Sequence, residues 1–583
     1  MRHPIEGLVL LDDGSRWMRL TDPVAVIETD RPEDVQATIR DVQAQVRARG
    51  CHALGFLRYE AGEAFGLTVR RAAPAADALP LVWFALFDAA SARAVAPPQA
   101  DTPYRLGPLA ASVSRDAFLD AVRTIRRRLA SGDTYQVNCT FRLRATFEGD
   151  PRSLFADLVA TQRGRYGAFI RAGRYAICSA SPELFFALDG EAITARPMKG
   201  TVARGRTVAE DREHVERLAR SPKEQAENVM VVDMVRNDIG RVARVGTVAV
   251  PELFTTERYP NVWQMTSTVT GRTAAPLDEV VAALFPSASV TGAPKVRTMQ
   301  IIAEIEREPR GVYTGAIGHI GPDGAAQFNV AIRTAVVDCE AGTLEFGVGS
   351  GVVWDSDPGQ EYDECLLKGS ILGQRPRPFE LLETVRWTPD EGFALLDRHL
   401  ARMEASAGYF GFRWPGGELE TALDREVRGS AAPRRVRLLV AEDGAVRTES
   451  VGLDPERLDP GSSVVRVRLA AQAVDTRDVF LFHKTTNRAV YERARRPDCD
   501  DVVLWNAAGE VTESTTANVV VRVGGRLVTP PVACGLLPGT FRAELLTTGA
   551  VVEARVTIEQ LANAEALWLV NSVRGWRRAV LVK

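Results

Sequence analysis

The 583-residue sequence predicts an α+β fold in two parts, and three observations support this. Strand-like segments rich in β-branched residues, such as VARVGTVAV and TLEFGVGSGVV, occur together with amphipathic helical segments. Strands and helices do not alternate regularly, which favours a sandwich of antiparallel sheets with outer helices over a doubly wound sheet. Pro376 and Pro378 in GQRPRPFELLETV interrupt the chain. We therefore expect one domain at 1–375, with its core at about 110–373, and a second at 376–583.

Charge and hydropathy exclude several classes of function. With 72 basic and 75 acidic residues the net charge is −3, so no basic surface is expected to hold nucleic acid. No apolar run is long enough to span a bilayer, and the apolar patch Leu8–Leu11 is followed at once by two aspartates, unlike a secretory signal. Seven scattered cysteines without a CxxC pair indicate reduced thiols. We expect a cytoplasmic protein without membrane or nucleic-acid partners.

Two predicted helices each carry a pair of carboxylates. In SPKEQAENVMVV, Ser221 caps a helix that begins with proline, so Glu224 and Glu227 lie three residues apart on one face. In DSDPGQEYDE the same cap-and-proline pattern places Glu361 and Glu364 on one face of a second helix. Four such carboxylates suit Mg²⁺. The alternative is that they only cap helices and complement the helix dipole.

A candidate nucleophile stands in ITARPMKGTVARG. Lys199 precedes a glycine at the expected end of a strand, and glycine allows close approach of a ligand. The nearby Arg196, Arg204 and Arg206 are expected to lower the lysine pKa by like-charge repulsion, which favours the nucleophilic free amine. The alternative is an ordinary solvated basic loop.

Glycine-rich segments supply candidate groups for binding a carboxylate. They are SVTGAPK with Thr291, VYTGAIG with Tyr313, and FGVGSGVV with Gly347 and Gly349. Their backbone N–H groups can face an anion, and Arg333 in NVAIRT can bind a carboxylate through two hydrogen bonds. The alternative is that these segments are only tight turns.

Taken together, these segments resemble the chorismate-utilising enzymes. The stretches that carry the resemblance, in the family order, are GDTYQVNCTFRL, SPELFF, RPMKGT, AENVMVVDMVRNDIGRV, FPSASVTGAPKVRTMQII, YTGAIG, NVAIRT and GSGVVWDSDPGQEYDE. They cover roughly residues 50–373. Within this family, anthranilate synthases usually carry alanine before the glycine of the P-x-x-G-T stretch, whereas one major group of aminodeoxychorismate synthases carries lysine. Lys199 therefore implies the second group.

The resemblance also implies roles for individual residues. Lys199 adds to C2 of chorismate, Glu183 in SPELFF protonates the departing C4 hydroxyl, and ammonia then enters at C4 and expels the lysine. Mg²⁺ is held mainly by Glu227 and Glu364, with the other two glutamates nearby or bonding through water. The implied substrate-binding residues are Tyr313, Arg333, Gly347, Gly349, Thr291 and Gln264. Gln264 departs from the histidine of many relatives and cannot take up a proton.

The second half contains the groups that a pyridoxal-phosphate enzyme needs. Lys484 follows the apolar run FLF, so its amine is expected to be desolvated and reactive. Glu513 can pair with a protonated pyridine nitrogen. Arg402 and the backbone at Gly539, Thr540 and Phe541 can hold phosphate. The alternative for Lys484 in HKTTNR is a surface charge.

The order of these segments, from FELLETVRW to ALWLVNSVRGW, resembles the fold-type-IV pyridoxal-phosphate enzymes across about 379–583. The resemblance implies two subdomains, Lys484 as Schiff-base lysine and acid/base, Glu513 as partner of the pyridine nitrogen, and Arg402 as phosphate ligand. Asn518 and Ser572 are implied as further contacts. Fusion to a synthase implies a lyase, in which Lys484 removes the C4 proton and pyruvate leaves from C3 to give 4-aminobenzoate.

The implied protein makes 4-aminobenzoate from chorismate for folate synthesis. The residues left over are too few for a glutaminase domain, so a separate glutamine amidotransferase is the expected partner, with free ammonia as a substitute. Lyase relatives suggest a homodimer formed through the C-terminal half. Two alternatives stay open: an anthranilate synthase fused to a type IV aminotransferase, and a chain in which one half is a non-catalytic scaffold.

Overall fold

The computed structural model describes residues 5–71, 79–375, 378–454 and 464–582. The chain divides into two compact units, Met1–Arg204 with His214–Pro376, and Gly205–Glu213 with Arg377–Lys583. The boundary expected near residue 376 falls on residues 376–377, which lie outside the described ranges. Within those ranges no helix has both the length and the apolar character needed to cross a membrane.

The strands before residue 376 are β1 Glu6–Leu11, β2 Arg16–Thr21, β3 Ala25–Thr29, β4 His52–Leu57, β5 Val82–Phe87, β6 Arg93–Val95, β7 Tyr104–Leu106, β8 Ala110–Ala111, β9 Gln136–Gly149, β10 Ala168–Ala172, β11 Tyr175–Ser179, β12 Leu184–Asp189, β13 Ala192–Arg196, β14 Met198–Ala203, β15 Ala249–Arg258, β16 Val262–Arg272, β17 Gly292–Ala293, β18 Ala316–Ile320, β19 Ala326–Val330, β20 Thr334–Asp338 and β21 Thr343–Val352. The helices are α1 Val35–Arg49, α2 Arg115–Ala130, α3 Pro151–Gln162, α4 Val208–Arg220, α5 Pro222–Gly240, α6 Leu277–Leu284, α7 Lys295–Ile305 and α8 Pro358–Gly369.

These strands form two large antiparallel sheets. One runs β17-β9-β21-β20-β11-β10-β1-β2-β6, and the other runs β14-β16-β13-β12-β19-β18-β4-β5-β3. Apolar side chains of both sheets share one buried cluster, which includes Val9 and Ile177 from the first sheet and Phe56 and Ile317 from the second. Helices α2, α3, α7 and α8 cover the outer face of the first sheet, while α1, α5 and α6 cover that of the second. The predicted sandwich with outer helices is confirmed.

Local sequence explains where the two carboxylate-bearing helices begin. The Ser221 side chain accepts a hydrogen bond from the Glu224 backbone N–H, and Asp357 does the same for Gln360, so both predicted N-caps are confirmed. A proline occupies the first turn of each helix, where its missing N–H costs no hydrogen bond. The caps therefore fix the first turns of α5 and α8, which carry the four glutamates.

One predicted strand is wrong at its beginning. VARVGTVAV was expected to be extended throughout, yet residues 242–248 form turns and β15 begins only at Ala249. Gly246 adopts a φ of +80°, which breaks an extended chain and suits glycine. Val242, Val248 and Val250 of this segment pack against the core, whereas Val245 is fully exposed in the turn.

In the second part of the chain the strands are β22 Leu381–Thr388, β23 Gly392–Phe393, β24 Arg434–Val440, β25 Val446–Gly452, β26 Val465–Leu469, β27 Asp501–Trp505, β28 Val511–Ser514, β29 Asn518–Val523, β30 Arg526–Thr529, β31 Val552–Glu553, β32 Ala566–Asn571 and β33 Gly575–Leu581. The helices are α9 Leu396–Phe410, α10 Glu418–Val427, α11 Ala489–Ala494, α12 Thr540–Thr547 and α13 Ile558–Ala562.

This unit contains two sheets. The smaller runs β23-β22-β24-β25 and shares a core with α9 and α10. The larger runs β28-β27-β26-β33-β32-β29-β30-β31, and an additional β28–β29 pairing closes it into a barrel. Two sheets with separate cores agree with the predicted two-subdomain arrangement.

Candidate functional sites

The first candidate site surrounds Lys199. This residue is the second of β14, so it stands near the start of a strand. The sequence predicted it at the end of one. A side chain on Gly351 of β21 would place its Cβ 2.7 Å from the Lys199 Nζ and 2.5 Å from the Gln136 Nε2. The lysine of one sheet therefore reaches the other sheet, and its amine and the Gln136 amide lie over a glycine that leaves room for both.

Burial is the main reason why the pKa of Lys199 is lowered, and the positive charge of Lys368 lowers it further. Three carboxylates oppose this effect, with Glu227 foremost, followed by Glu183 and Glu364. The amine therefore loses its proton more readily than an exposed lysine, although acidic groups surround it. The nucleophilic free amine is therefore more populated than in an exposed lysine.

The predicted cause of this pKa shift is wrong. The arginines expected to act on the lysine were Arg196, Arg204 and Arg206. Arg196 pairs instead with Glu257, Arg204 donates to the backbone carbonyl of Tyr259, and Arg206 binds Glu210 at 2.6 Å. Guanidinium groups that have their own acceptors add little net positive field at the lysine.

Glu183 is a buried acid close to this lysine, with a side chain that is 3% exposed. Burial raises its pKa to about 7, although a hydrogen bond with Ser289 and the charge of Lys199 oppose the rise. A carboxyl group with this pKa carries its proton over much of the neutral range. It can therefore donate a proton to a leaving hydroxyl.

The four glutamates on α5 and α8 share one electrostatic environment. Burial raises the pKa of Glu227, and the charges of Glu224 and Glu361 raise it further. Burial also opposes ionisation of Glu364, but Lys368, whose Nζ lies 2.6 Å from its carboxylate, lowers the pKa overall. Among the described residues, no three acidic, histidine or cysteine side chains stand close enough together to form a ready metal site. The donor chemistry fits Mg²⁺, with ligands still to be completed by water or substrate oxygens.

Tyr313, Arg333 and Gly347 lie together. The Tyr313 ring packs on Gly347 so closely that a Cβ there would stand 2.0 Å from the ring, and Arg142 stacks on the same ring at 5.0 Å. Arg333 adopts a φ of +51° and donates to the backbone carbonyl of Lys368 at 2.8 Å. Gly347 thus accommodates an aromatic ring, which the sequence reasoning did not anticipate.

The other predicted substrate contacts are already engaged within the protein. The Gly349 carbonyl accepts from Lys368 Nζ at 2.9 Å, and the fully buried Thr291 donates its hydroxyl to the Ser287 carbonyl at 3.0 Å. Gln264 accepts from the Thr201 hydroxyl at 3.0 Å. Lys199 interacts electrostatically with Glu183 and Glu364, and Arg333 does so with Tyr313 and the same Glu364, so these residues share one region. The Thr291 side chain has an internal partner.

The second candidate site is a cavity of about 410 Å³ in the other unit. Lys484, partly buried, lies in its wall, and burial lowers the pKa of this lysine to about 8, with Arg402 contributing in the same direction. The apolar run before Lys484 predicted such desolvation. The volume lies within the range typical of pockets for cofactors and drug-sized ligands.

Glu513 faces the same cavity and is 4% exposed. Burial raises its pKa to about 7, although hydrogen bonds from the Leu537 backbone and the Tyr491 hydroxyl lower it. Asn518 donates to the other carboxylate oxygen at 3.3 Å. A carboxylate held in this way can accept a proton or a hydrogen bond from a ring nitrogen.

Arg402 is fixed by a buried carboxylate. Glu383 accepts from Arg402 Nε at 2.8 Å and from a terminal guanidinium nitrogen at 2.7 Å. The same carboxylate contacts His399 Nδ1 at 2.6 Å, and His399 Nε2 lies 2.9 Å from the Ser572 hydroxyl and 3.2 Å from that of Thr540. One carboxylate thus orders both a guanidinium and an imidazole at the cavity wall.

Helix α12 begins at the cavity. Gly539 is its N-cap residue, and a Cβ at this position would stand 1.9 Å from the Asn518 Oδ1. The first N–H groups of a helix have no partner within the helix and favour an anion, so the backbone at Thr540 and Phe541 fits a phosphate. Lysine, acid, arginine and helix terminus together fit pyridoxal phosphate.

Comparison with known proteins agrees with this geometry. Residues 7–373 match the family of chorismate binding enzymes, and residues 380–582 match amino-transferase class IV. The chain belongs to the chorismate binding enzymes. Its second half is an amino-transferase class IV domain.

Individual relatives divide between two activities. Aminodeoxychorismate synthase component 1 of Klebsiella aerogenes is 43% identical over 260 residues, which are 44% of this chain and 57% of that protein. Anthranilate synthase component 1 1 of Haloarcula marismortui is also 43% identical, over 44% of this chain and 53% of that protein. The chain thus spans little more than half the length of these relatives. Anthranilate synthase component I from Streptococcus pneumoniae TIGR4 shares the fold with a TM-score of 0.52 at 24% identity, covering 64% of this chain and 93% of that one.

Sequence reasoning did not single out several residues of these two sites. Gln136 in the chorismate-binding domain stands within the quoted stretch GDTYQVNCTFRL but was given no role. Glu383, His399 and Tyr491 of the class IV domain were also not identified. A signal existed for Glu383, because it lies in the strand segment LLETV, whose leucines and valine indicate burial, and a buried carboxylate must be paired.

Proposed function

We propose that this chain converts chorismate to 4-aminobenzoate in two steps, with the chorismate-binding domain acting as an aminodeoxychorismate synthase and the class IV domain as an aminodeoxychorismate lyase. The observation that carries the proposal is a lysine beside a buried carboxylic acid, which occurs once in each domain. Lys199 has a lowered pKa and acts beside Glu183, and Lys484 has a lowered pKa and acts beside Glu513. Each pair supplies a free amine and a buried acid.

In the first step Lys199 Nζ forms a bond to C2 of chorismate while the C4 hydroxyl leaves. Glu183 gives its proton to that hydroxyl, which departs as water. Ammonia then bonds to C4, the bond between C2 and the lysine breaks, and the released amine returns Lys199 to its starting state. The low pKa of the lysine supports both its attack and its departure, since a weakly basic amine is the better leaving group.

Glu227 and Glu364 are the proposed principal holders of Mg²⁺, with Glu224 and Glu361 nearby or bonding through water. The ion would neutralise the ring carboxylate of the substrate. The raised pKa of Glu227 supports this assignment, because crowded carboxylates gain from a divalent cation. Tyr313 and Arg333 are the proposed contacts of the enolpyruvyl group, with Gly347 and Gly349 shaping that wall.

In the second step Lys484 removes the proton from C4 of aminodeoxychorismate, and pyruvate leaves from C3 as the ring becomes aromatic. Pyridoxal phosphate, when bound, supplies the electron sink for this proton transfer. Glu513, braced by Tyr491 and Asn518, holds the proton at the pyridine nitrogen. Arg402 and the α12 terminus are the proposed phosphate contacts, with Asn518 and Ser572 as further contacts of the cofactor.

Lys199 favours aminodeoxychorismate over anthranilate as the first product. Anthranilate synthases usually carry alanine at this position, and alanine could form no bond to C2. The relative from Haloarcula marismortui is an anthranilate synthase of equal identity, so overall similarity does not separate the two reactions. The position of the Lys199 amine over Gly351 supports a direct chemical role.

The proposal includes a domain boundary near residue 376, a separate glutamine amidotransferase as ammonia source, and a homodimer formed through the class IV domain. The names of the component 1 relatives support the separate amidotransferase. The pathway served would be folate synthesis in the cytoplasm. A scaffold role for either half is opposed by the intact lysine and acid pair in each.

The test is to supply purified protein with chorismate, Mg²⁺, ammonium and pyridoxal phosphate and to identify the products by chromatography and mass. We expect 4-aminobenzoate and pyruvate. Lys484→Ala should accumulate aminodeoxychorismate, and Lys199→Ala should lose its formation by at least about 1,000-fold, as expected for a nucleophile. Arg220→Ala, a change at a residue that is 81% exposed, serves as the control. Anthranilate as product, or normal turnover by Lys199→Ala, would overturn the proposal.

A further inference from the structure

The cavity of the class IV domain carries far more positive than negative charge. The arginines in its wall are Arg402, Arg435, Arg437, Arg488, Arg495 and Arg574, together with Lys484. Glu513 is the acidic side chain of the same wall within the described residues. The proposed cofactor phosphate accounts for the region of Arg402 and α12, which leaves the arginines of the small sheet without an assigned ligand.

Arg435 and Arg437 of β24 differ from Arg402 in how far nearby carboxylates compensate their positive charge. Arg402 is bound by the buried Glu383 through two hydrogen bonds. Arg437 has one contact with Glu449, at 3.1 Å, and both side chains are about 40% exposed, which makes this a weak pair. In the part of the chain that the structure describes, the buried Nε of Arg435 has no hydrogen-bond acceptor. Arg435 also lines the cavity, so its positive charge is available to a ligand that enters there.

The register of the small sheet places both arginines at a fixed distance from Lys484. The Leu382 backbone N–H donates to the Lys484 carbonyl at 3.0 Å, so β22 begins beside the lysine. Thr384 pairs with Arg437, and Arg435 lies two residues further along β24. Since a strand advances about 3.3 Å per residue, the two arginines stand roughly 7 and 13 Å along the sheet from the lysine backbone, on the face that lines the cavity.

We propose that Arg435, assisted by Arg437, binds a carboxylate at the end of the substrate remote from its amine and so determines the specificity of this cavity. The inference rests on the proposed lyase function and names the substrate class of that site: a ring amine with its carboxylate across the ring. In an α-amino acid, amine and α-carboxylate share one carbon, so the α-carboxylate of an amino acid bound at Lys484 cannot also reach the two arginines. The pair therefore favours the lyase substrate over transaminase substrates whose side chain carries no carboxylate.

Binding of simple ring compounds tests this site apart from the reaction. Isothermal titration calorimetry of the holoenzyme would compare 4-aminobenzoate with aniline, which has the same ring and amine but no carboxylate. We expect the wild type to prefer 4-aminobenzoate by about 10- to 100-fold, the range of a charge-assisted hydrogen bond to a carboxylate. Arg435→Met should remove most of this preference. Arg434→Met, on the same strand with its guanidinium bonded to Ser450, is the matched control and should keep it.

Kinetics supply an independent readout. With aminodeoxychorismate, Arg435→Met should raise KM by a similar factor with little change in kcat, because the contact is made in both the ground state and the transition state. Arg435→Lys should restore part of the affinity. If Arg435→Met fails to fold, as judged by loss of the cofactor absorbance band, Arg437→Met carries the same comparison with a smaller expected effect.

The outcomes separate the two proposals. A preference for 4-aminobenzoate that Arg435→Met abolishes, in a protein that does not convert aminodeoxychorismate, supports the carboxylate site and overturns the lyase function. Normal lyase turnover with no preference for 4-aminobenzoate over aniline, or with a preference that Arg435→Met leaves unchanged, overturns the carboxylate site alone.

Discussion

Replacing Glu383 by glutamine tests how the class IV domain is held together at its cavity. Glu383 is 1% exposed, and its carboxylate accepts hydrogen bonds from Arg402 at 2.7 and 2.8 Å and contacts His399 at 2.6 Å. Burial alone would raise the pKa of this acid, but Arg402 and then His399 lower it to about 2. Glutamine has nearly the same shape, yet it carries no charge, and its amide N–H₂ would face the N–H donors of Arg402 instead of accepting from them.

The size of the effect follows from the pKa. A shift from the ordinary 4.5 to about 2 corresponds to roughly 3 kcal/mol, at 1.36 kcal/mol per unit. Because the folded-state pKa is lowered, this stabilisation is present above pH 4.5 and is lost as the pH falls toward 2. Breaking a buried ion pair by removing one partner costs about 3–5 kcal/mol, which agrees. We therefore expect Glu383→Gln to lower the free energy of unfolding by about 3 kcal/mol at pH 7.

The assay is urea unfolding of the full chain, followed by tryptophan fluorescence and circular dichroism, with the transition of the class IV domain analysed separately. Glu391→Gln is the control, since Glu391 is 72% exposed and contacts Arg386 only at 3.5 Å, so its loss should cost less than about 1 kcal/mol. The difference between wild type and Glu383→Gln should shrink between pH 5 and 3. A loss below 1 kcal/mol at pH 7, or one that does not vary with pH, would refute the reasoning.

Three further outcomes are expected. Gly351→Ala should abolish synthase activity without unfolding the protein, because its Cβ would stand 2.7 Å from the Lys199 amine and 2.5 Å from the Gln136 amide; retained chorismate consumption would contradict this. Synthase rates should fall as the pH rises through about 7, where Glu183 loses its proton, and Glu183→Gln should remove both this pH dependence and most of the rate over pH 6–9. Arg310→Met should lower the free energy of unfolding by about 3–5 kcal/mol in thermal or urea unfolding, because it leaves a buried carboxylate unpaired, and a loss under 1 kcal/mol would speak against that pairing.

Much of the fold could be predicted because short stretches of sequence indicate where helices begin and which residues share a face. A serine or aspartate followed by proline marks the start of α5 and α8, and the structure has both caps. The same spacing puts the glutamate pairs on one face of each helix, since residues three apart are neighbours on a helix. The irregular succession of strands and helices predicted antiparallel sheets, because a doubly wound parallel sheet needs strands and helices that alternate regularly.

The surroundings of the candidate site residues could not be predicted in this way. Two neighbours of Lys199, Gly351 and Lys368, lie more than 150 positions away in the chain and meet it only through the tertiary fold. Arginines close in sequence were the wrong guide, since Arg196 is neutralised by Glu257. Glu383 was missed because its partners Arg402 and His399 lie on α9 and meet it only when that helix packs on the strand.

The two lysines show why burial, rather than neighbouring positive charge, is the effective way to activate an amine in this protein. At Lys484 the strongest charge, that of Arg402, lowers the pKa together with burial. At Lys199 the strongest charge is that of Glu227, which raises the pKa, and still the pKa is lowered overall. The proposed synthase reaction uses Mg²⁺ and therefore needs carboxylates near the nucleophile, and arginines placed to activate the lysine would compete with the metal for the same ligands. Desolvation avoids this conflict, because it penalises the ammonium form without adding a cation.

A divalent ion bound at Glu227 and Glu364 would also neutralise these two carboxylates, which oppose the shift, so the Lys199 pKa should fall further when Mg²⁺ is added. Titration of lysine acylation rates with and without Mg²⁺ would measure this fall, and an unchanged rate at Lys199 would exclude the coupling.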